Sequence, residues 1–321
     1  MIDLVCLGEL LFDMLPAETG RRLSEVNSFF AKPGGSPANV AVAAARLGMQ
    51  SAFIGKVGDD AFGHHLAEIL HLGRVDIRGL RFDPRYKTTL AFIALPDANQ
   101  PEFLFYPSPG ADVMLNKDDV DPDLLRSVRA FHFGSLSQAQ EPCRSAALEG
   151  AQIAHRAGAL ISFDANYRLD YWHNTQEFRR KILAALPQVD LLKVNEAELE
   201  LLTGRSDLGS ARQLLEFGPR ACVVTLGQNG SYFQTRSKNI LVSAFRVTVV
   251  DTTGCGDGFV AGLLARILSF GNWEKFITSG ELTAALRYAN AVGALTAMKP
   301  GAIPAFPSDS EVEQFLYDHQ G

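Results

Sequence analysis

The segment Asp251-Thr-Thr-Gly-Cys-Gly-Asp-Gly-Phe259 links a run rich in β-branched residues, 245–250, to an apolar run, 260–268. The first run predicts a strand, and the second, which has no strand-like alternation, predicts a helix. Gly254 and Gly256 allow the backbone to bend tightly and to approach a ligand closely. The start of a helix exposes unpaired N–H groups and the positive end of its dipole. This strand–turn–helix unit therefore predicts a site for an anion.

One acid, Asp257, lies inside this predicted anion site. A carboxylate repels an anion, so its presence is explained if it takes a proton from a nucleophile that attacks a phosphoryl group. An ordinary glycine-rich turn with Asp257 as a helix cap is the alternative on these residues alone. The same helix start is expected to lower the pKa of the neighbouring thiol, Cys255, and to make it reactive.

The composition indicates a globular protein with a large core, because 47% of the 321 residues are hydrophobic. The net charge is −6 and no basic stripe is visible, so nucleic acid and anionic membranes are not expected partners. The four cysteines are widely spaced without a C-x-x-C pair, which favours a reducing cytoplasm over a zinc or disulfide framework. No basic leader and no apolar run of about 18 residues is present, so neither a signal peptide nor a membrane span is expected.

Strand-like and helix-like segments alternate from residue 130 to residue 235, after a first buried strand at Leu4–Gly8. This alternation predicts an α/β fold with a doubly wound, mostly parallel sheet flanked by helices. Short strand-like runs within 78–107 lack helices between them. Together with residues 11–32, they predict a small antiparallel sheet that forms a lid. The lid is expected to be inserted in a single domain, residues 1–321.

Polar clusters recur where the predicted strands end, at the edge where open α/β sheets bind ligands. Asp13 follows the first strand, and further clusters lie at residues 164–168, 195–198 and 227–230. Asn39 lies near the start of a predicted helix, where its amide can cap that helix or bind sugar hydroxyls. A P-loop, a G-x-G-x-x-G fingerprint and metal-binding Cys/His clusters are absent from the sequence.

Two motifs carry a family resemblance. Gly34-Gly-Ser-Pro-Ala-Asn-Val-Ala41 and Asp251–Asp257 resemble the two signatures of the ribokinase-like, or PfkB, sugar kinases, in the right order. The resemblance covers nearly the whole chain and implies the ribokinase-like fold. Within the family, five further segments are similar to those of fructokinases: residues 55–63, 131–135, 141–146, 198–204 and 299–305.

The resemblance implies a catalytic role for Asp257 as the base that deprotonates a primary hydroxyl of a sugar. The backbone N–H groups of Gly254, Cys255 and Gly256 would hold the γ-phosphate of ATP. The sugar would be bound by Asp13, Gly34, Gly35, Asn39, Asn166 and Arg168.

The resemblance also implies sites for the nucleotide and for ions. Asn195 and Glu198 form an N-x-x-E pair, in which Glu198 would support Mg²⁺ through water. The nucleotide would be bound by Thr225, Gly227, Gly230 and Asn290, with Asn290 near the adenine. A monovalent cation, K⁺ in this family, would be bound near Asp251, Thr253 and Gly301. The expected assembly is a homodimer formed through the lid.

The implied activity is ATP-dependent phosphorylation of fructose to fructose 6-phosphate. Residues 105–112 lack the arginine and asparagine of a run that fructokinases often carry, so other sugars stay open. These are 2-keto-3-deoxygluconate, whose acid group could bind Arg168, and ribose. A non-catalytic regulator that binds sugar or nucleotide on the same fold is the alternative from another functional class.

Overall fold

The computed structural model describes residues 2–97, 100–172 and 174–319. Nine strands form one large sheet and four form a small one. In chain order the strands are β1 (Leu4–Leu7), β2 (Leu11–Pro16), β3 (Phe29–Gly34), β4 (Ser51–Gly58), β5 (Asp76–Asp83), β6 (Leu90–Asp97), β7 (Gln100–Tyr106), β8 (Ala130–Gly134), β9 (Leu160–Asp164), β10 (Leu191–Asn195), β11 (Ala221–Thr225), β12 (Ser231–Thr235) and β13 (Asn239–Val242).

Helices cover both faces of the large sheet. They are α1 (Ser36–Arg46), α2 (Ala61–Leu72), α3 (Pro122–Leu125), α4 (Leu136–Ala139), α5 (Cys143–Arg156), α6 (Leu169–Trp172), α7 (Thr175–Ala185), α8 (Glu196–Thr203), α9 (Ala211–Leu214), α10 (Cys255–Ser269), α11 (Trp273–Phe276), α12 (Leu282–Ala297) and α13 (Asp309–Asp318). In the described part of the chain, every helix is too short or too polar to cross a bilayer.

The large sheet has the order β13-β12-β11-β10-β9-β8-β1-β4-β5 and is parallel from β11 to β5. Strands β1, β4, β8 and β9 are buried along their whole length, as expected when helices cover both faces. One core lies under α1, α10 and α12, and a second lies under α5, α7 and α8. The predicted doubly wound α/β fold is confirmed.

The glycine-rich turn leads directly into α10. Gly254 precedes the helix with φ of 80°, a left-handed conformation that favours glycine. The prediction of a strand at residues 245–250 is wrong, because these residues form no strand. Val249 and Val250 are exposed, and the N–H of Val250 donates to the C=O of Ala297 at 2.8 Å. The β-branched composition suits a strand, but these residues pair with no strand, and the chain is attached to the end of α12 instead.

The small sheet has the order β3-β2-β6-β7, antiparallel in its two outer pairings and parallel between β2 and β6. The expectation that residues 78–82 join it is wrong, because they lie in β5 and pair in parallel with β4. The reason is the crossover through α2, which returns the chain to the large sheet beside β4. Gly79 allows this close pairing, since a Cβ there would lie 2.7 Å from Ile54 Cγ1.

Close packing of α10 against α12 gives a stability prediction. A Cβ on Gly262 would lie 3.2 Å from the Cα of Ala289, so Gly262→Ala must push the two helices apart. We expect the free energy of unfolding, measured in urea, to fall by about 1–2 kcal/mol, because overpacking outweighs the gain in helix propensity. Gly293→Ala on α12 is the matched control, since its Cβ meets only the Cys255 carbonyl oxygen, at 3.4 Å. Equal stability of the two variants would contradict this account.

Candidate active site

The site is built around the carboxylate of Asp257, in the first turn of α10. The hydroxyl of Ser36 donates to Asp257 Oδ1 at 2.6 Å, and the amide of Asn39 donates from Nδ2 to Asp257 Oδ2 at 2.9 Å. Both donors come from the beginning of α1. The starts of two helices therefore meet at one buried acid, although their residues are more than 200 positions apart in sequence.

A second buried acid, Glu9, supports this contact from behind. Its Oε1 accepts the backbone N–H of Ser36 at 2.9 Å. Its Oε2 is buried without a partner among the described residues. Burial is the main cause that raises the pKa of Glu9, to about 8. Gly35 is required at this junction, because with φ of 107° a Cβ would lie 2.3 Å from the carbonyl oxygen of Glu9.

Burial also raises the pKa of Asp257, and the nearby carboxylate of Asp164 acts in the same direction. The hydrogen bonds from Ser36 and Asn39 and the ammonium of Lys193 lower it. The charged form of Asp257 therefore depends on these three groups as well as on the start of α10.

The residues predicted to bind the sugar lie on the side of the small sheet. Asp13 on β2 faces Gly34 on β3, where a Cβ would lie 2.4 Å from Asp13 Oδ2. Burial raises the pKa of Asp13 to about 6, although Arg168 lowers it. Asn39 does not cap its helix, and its Oδ1 is buried without a partner in the described structure. The structure therefore brings Asp13 and Arg168 near each other, and Asn39 keeps one acceptor without a partner among the described residues; their binding of a sugar stays a prediction.

A buried ion pair joins β9 and β10. Lys193 Nζ lies 3.1 Å from Asp164 Oδ1, with side chains 8% and 1% exposed. Asp164 Oδ1 also accepts the N–H of Asn166 at 3.1 Å, and this fixes Asn166 at φ of 32°. Sequence reasoning missed Lys193, although a single charge inside an apolar strand was a usable signal.

The predicted N-x-x-E pair is a reciprocal cap for α8. Asn195 Oδ1 accepts the N–H of Glu198, and Glu198 Oε2 accepts the N–H of Asn195, both at 2.8 Å. Glu198 Oε1 accepts the N–H of Tyr167 at 2.8 Å. Both carboxylate oxygens are thus engaged with the backbone, and water-mediated support of magnesium by Glu198 stays a prediction.

The predicted nucleotide residues lie where β11 turns into β12. Thr225 ends β11, and Gly227 and Gly230 have positive φ of 54° and 106°. Gly230 is required, because a Cβ there would lie 2.0 Å from the Val242 carbonyl oxygen. The amide of Asn290 donates to the carbonyl oxygens of Val242 and Ser243, both at 3.2 Å. Asn290 therefore attaches α12 to the end of β13, and its contact with adenine stays a prediction.

The glycine turn offers fewer free donors than expected. The N–H of Cys255 donates to the Thr252 carbonyl oxygen at 3.2 Å. The N–H groups of Gly254 and Gly256 find no acceptor within the described residues. The prediction of a lowered pKa for Cys255 is wrong. Burial, followed by the charges of Asp251 and Asp257, raises that pKa to about 11, and these effects outweigh a backbone hydrogen bond that lowers it.

Three residues predicted around a monovalent cation do come together. Asp251 Oδ1 accepts the N–H and the hydroxyl of Thr253 at 2.9 and 2.7 Å, and Asp251 Oδ2 accepts the N–H of Gly301 at 2.8 Å. Burial alone would raise the pKa of Asp251, but these hydrogen bonds lower it. Across the described ranges, no three His, Cys, Asp or Glu side chains form a metal-binding cluster.

This arrangement places a buried carboxylate beside two free N–H groups at the start of a helix. It can accept a proton from a hydroxyl while the N–H groups hold an anion next to that hydroxyl.

Comparisons with known proteins agree with this geometry. Residues 1–309 match the model of the pfkB family of carbohydrate kinases. A fructokinase from Solanum tuberosum is 44% identical over 317 residues, which cover 98% of this chain and 95% of the relative. A crystal structure of fructokinase from Xylella fastidiosa with bound ATP has a TM-score of 0.91 at 32% identity, with 99% of each chain covered. A fructokinase from Vibrio cholerae, in a form with bound fructose, ADP and calcium, has a TM-score of 0.85 at 32% identity, covering 98% and 99% of the chains.

The bond from Ser36 to Asp257 leads to a prediction that needs no substrate. Ser36→Ala removes a donor that lowers the pKa of Asp257, so this pKa should rise further. The measurement is a titration of the Asp257 carboxyl ¹³C resonance, assigned with Asp257→Asn. Ser51→Ala is the matched control, because the Ser51 hydroxyl is also buried but donates to the Ala41 carbonyl oxygen at 2.8 Å. An unchanged Asp257 titration in Ser36→Ala would refute a role for this bond.

Proposed function

Because the chain belongs to the pfkB family of carbohydrate kinases, we propose that it phosphorylates D-fructose. The reaction transfers the γ-phosphoryl group of ATP to the primary hydroxyl at carbon 6 and gives fructose 6-phosphate and ADP. The observation that carries the proposal is the position of Asp257, between the start of α1 and the free N–H groups of the glycine turn.

The carboxylate of Asp257 acts as the general base. It accepts the proton of the sugar hydroxyl as the hydroxyl oxygen forms a bond to the γ-phosphorus, and the bond from phosphorus to the bridging oxygen of ADP breaks. A loose transition state demands little from the base, because the hydroxyl becomes acidic only late in the transfer. Ser36 and Asn39 hold the carboxylate in place before the sugar arrives.

The sugar is held by polar groups that face the cleft. Asn39 Oδ1, buried without a partner among the described residues, accepts a sugar hydroxyl, and Asp13 accepts another. Gly34 and Gly35 leave room where side chains would collide with Asp13 and Glu9. Arg168, together with Asn166, closes the same side. Proximity and orientation supplied in this way commonly account for a large share of catalysis.

The N–H groups of Gly254 and Gly256 bind the transferring phosphoryl group, where fixed donors are commonly worth a few kcal/mol. The N–H of Cys255 can join them only by leaving Thr252. The nucleotide lies along Thr225, Gly227, Gly230 and Asn290, at the carboxyl edge of β11.

The charge of the site fits magnesium. Asp164, Glu198 and Asp257 surround a single ammonium, Lys193, so a polyphosphate can approach only with additional positive charge. When bound, Mg²⁺ would supply that charge and neutralise part of the charge of the phosphates. Asn195 and Glu198 would contact its waters. We further propose that Asp251, Thr253 and the loop at Gly301 hold K⁺, supported by the way these residues meet at one carboxylate.

The proposal extends to assembly and location. Large apolar side chains on the small sheet and its flank are exposed: Phe30, Leu104 and Tyr106. Exposed apolar groups on both edge strands of the small sheet, β3 and β7, favour burial in an interface, which supports a homodimer formed through the lid. The four free cysteines support a cytoplasmic location.

One observation favours a second sugar. Arg168 is exposed at the cleft beside Asp13 and forms no ion pair within the described structure. A guanidinium in that position could bind the carboxylate of 2-keto-3-deoxygluconate. Ribose stays third, and a non-catalytic regulator is disfavoured because Asp257 and the glycine turn are intact.

A substrate panel tests the proposal. Coupled assays of ADP release should give the highest kcat/KM with fructose, and values at least about tenfold lower with 2-keto-3-deoxygluconate and ribose. Activity should require Mg²⁺ and rise with K⁺. A higher kcat/KM of the wild type with 2-keto-3-deoxygluconate than with fructose would identify a 2-keto-3-deoxygluconate kinase. In that case Arg168→Gln should reduce turnover of the acid sugar more than turnover of fructose, because the guanidinium would bind the carboxylate. Lack of turnover with every sugar would contradict the proposal.

A further inference from the structure

Lys193 is a charged group at the centre of the site to which the reaction above assigns no step. It lies on β10, directly opposite Asp164 on β9, and its side chain is 8% exposed. Burial alone would lower the pKa of Lys193, but Asp164, Glu198 and Asp257 outweigh this and raise it. A buried ammonium therefore stays charged beside three acids.

The position of this ammonium relative to the glycine turn is close and specific. A Cβ on Gly256 would lie 3.3 Å from Lys193 Nζ and 3.9 Å from its Cε. Among the described residues, no other atom outside the turn and its helix lies within 4 Å of that point. Because Gly256 has no side chain, the ammonium end of Lys193 can approach the turn closely from the side of the sheet.

Asp164 uses only one of the hydrogen-bond donors of the Lys193 ammonium. An ammonium has three N–H donors, and within the described residues the only hydrogen bond from Lys193 Nζ goes to Asp164 Oδ1, at 3.1 Å. Two donors thus remain without an acceptor among the described residues, and the positive charge interacts with Asp164, Glu198 and Asp257.

We propose that Lys193 is a positioning residue for phosphoryl transfer, whose ammonium supports the Gly254–Gly256 turn from the sheet side and adds positive charge where negative charge accumulates. This inference rests on the proposed kinase function. The field of a buried cation is screened much less than that of a surface charge, so it acts on the anion held by the turn. It also favours the ionised form of Asp257, which must accept the proton.

The test replaces Lys193 by methionine, which keeps the chain length and removes the charge. We expect kcat to fall by at least about tenfold, while KM for fructose changes by less than about twofold, because Lys193 lies below the turn and not in the sugar cleft. Lys56→Met is the matched control. Lys56 is also buried on the large sheet, 7% exposed, and lies 2.5 Å from Asp119 and 3.8 Å from Asp83. It should lose stability but keep kcat.

A double variant distinguishes two effects of the Lys193 charge: its action on the glycine turn and its neutralisation of the Asp164 carboxylate. Lys193→Met alone leaves the Asp164 carboxylate buried and unpaired, which can unfold the protein. Asp164→Asn combined with Lys193→Met removes that charge and keeps an acceptor for the N–H of Asn166. The double variant should fold and remain slow. Recovery of kcat to within about threefold of wild type would overturn the proposal.

A titration of the Asp257 carboxyl ¹³C resonance gives a readout that does not depend on turnover. Lys193→Met should move this titration to higher pH, because a cation that favours the carboxylate is lost, whereas Lys56→Met should not. The charged, titratable and polar groups facing Asp257 are Ser36 and Asn39 from α1, Cys6 from β1, Glu9, Asp13, Asp164, Lys193 and Cys255.

The outcomes separate the two proposals. If wild type phosphorylates no sugar but the titration moves in Lys193→Met alone, the function is wrong and the electrostatic role of Lys193 stands. If wild type and Lys56→Met are active and Lys193→Met matches them in kcat and titration, the proposal for Lys193 is wrong.

Discussion

The contact of Ser36 and Asn39 with the carboxylate of Asp257 is the interaction on which the rest of the site depends. It joins the start of α1, where Asn39 is proposed to bind the sugar, to the start of α10, where the phosphoryl group is proposed to bind. Each helix start supplies a local positive field, yet the acid between them is buried, and burial opposes its charge. The two side-chain donors offset part of that cost and hold the proposed base in position before any ligand binds.

The sequence was sufficient for the general architecture, because alternating strands and helices, with polar residues at strand ends, permit few topologies. The structure brings Asp251, Thr253 and Gly301 together at one carboxylate, while the binding of a cation there and of a sugar by Asn39 stay predictions. Local composition failed at residues 245–250, since a strand needs a pairing partner as well as β-branched residues. The prediction for residues 78–82 was wrong for a similar reason. The crossover through α2, and not the local sequence pattern, decides which sheet β5 joins.

Electrostatic expectations taken from one helix start were the least reliable part of the sequence reasoning. The dipole of α10 suggested a reactive thiol at Cys255, but burial and the charges of Asp251 and Asp257 raise its pKa instead. Lys193 and Glu9 were missed because each acts through a neighbour on another element: Lys193 on Asp164 across the sheet, and Glu9 on the N–H of Ser36. Such long-range pairs become visible only when the fold brings the elements together.

The central claim is that Asp257 accepts the proton during transfer and does not merely cap α10. The direct measurement compares Asp257→Asn with wild type by steady-state turnover of fructose and by calorimetric binding of fructose. Asparagine keeps the shape of the side chain and loses the basic oxygen, so the account predicts a fall in kcat of about 10² to 10⁴-fold with the affinity for fructose kept within a few-fold. A variant that binds fructose normally and keeps kcat within threefold of wild type would contradict it.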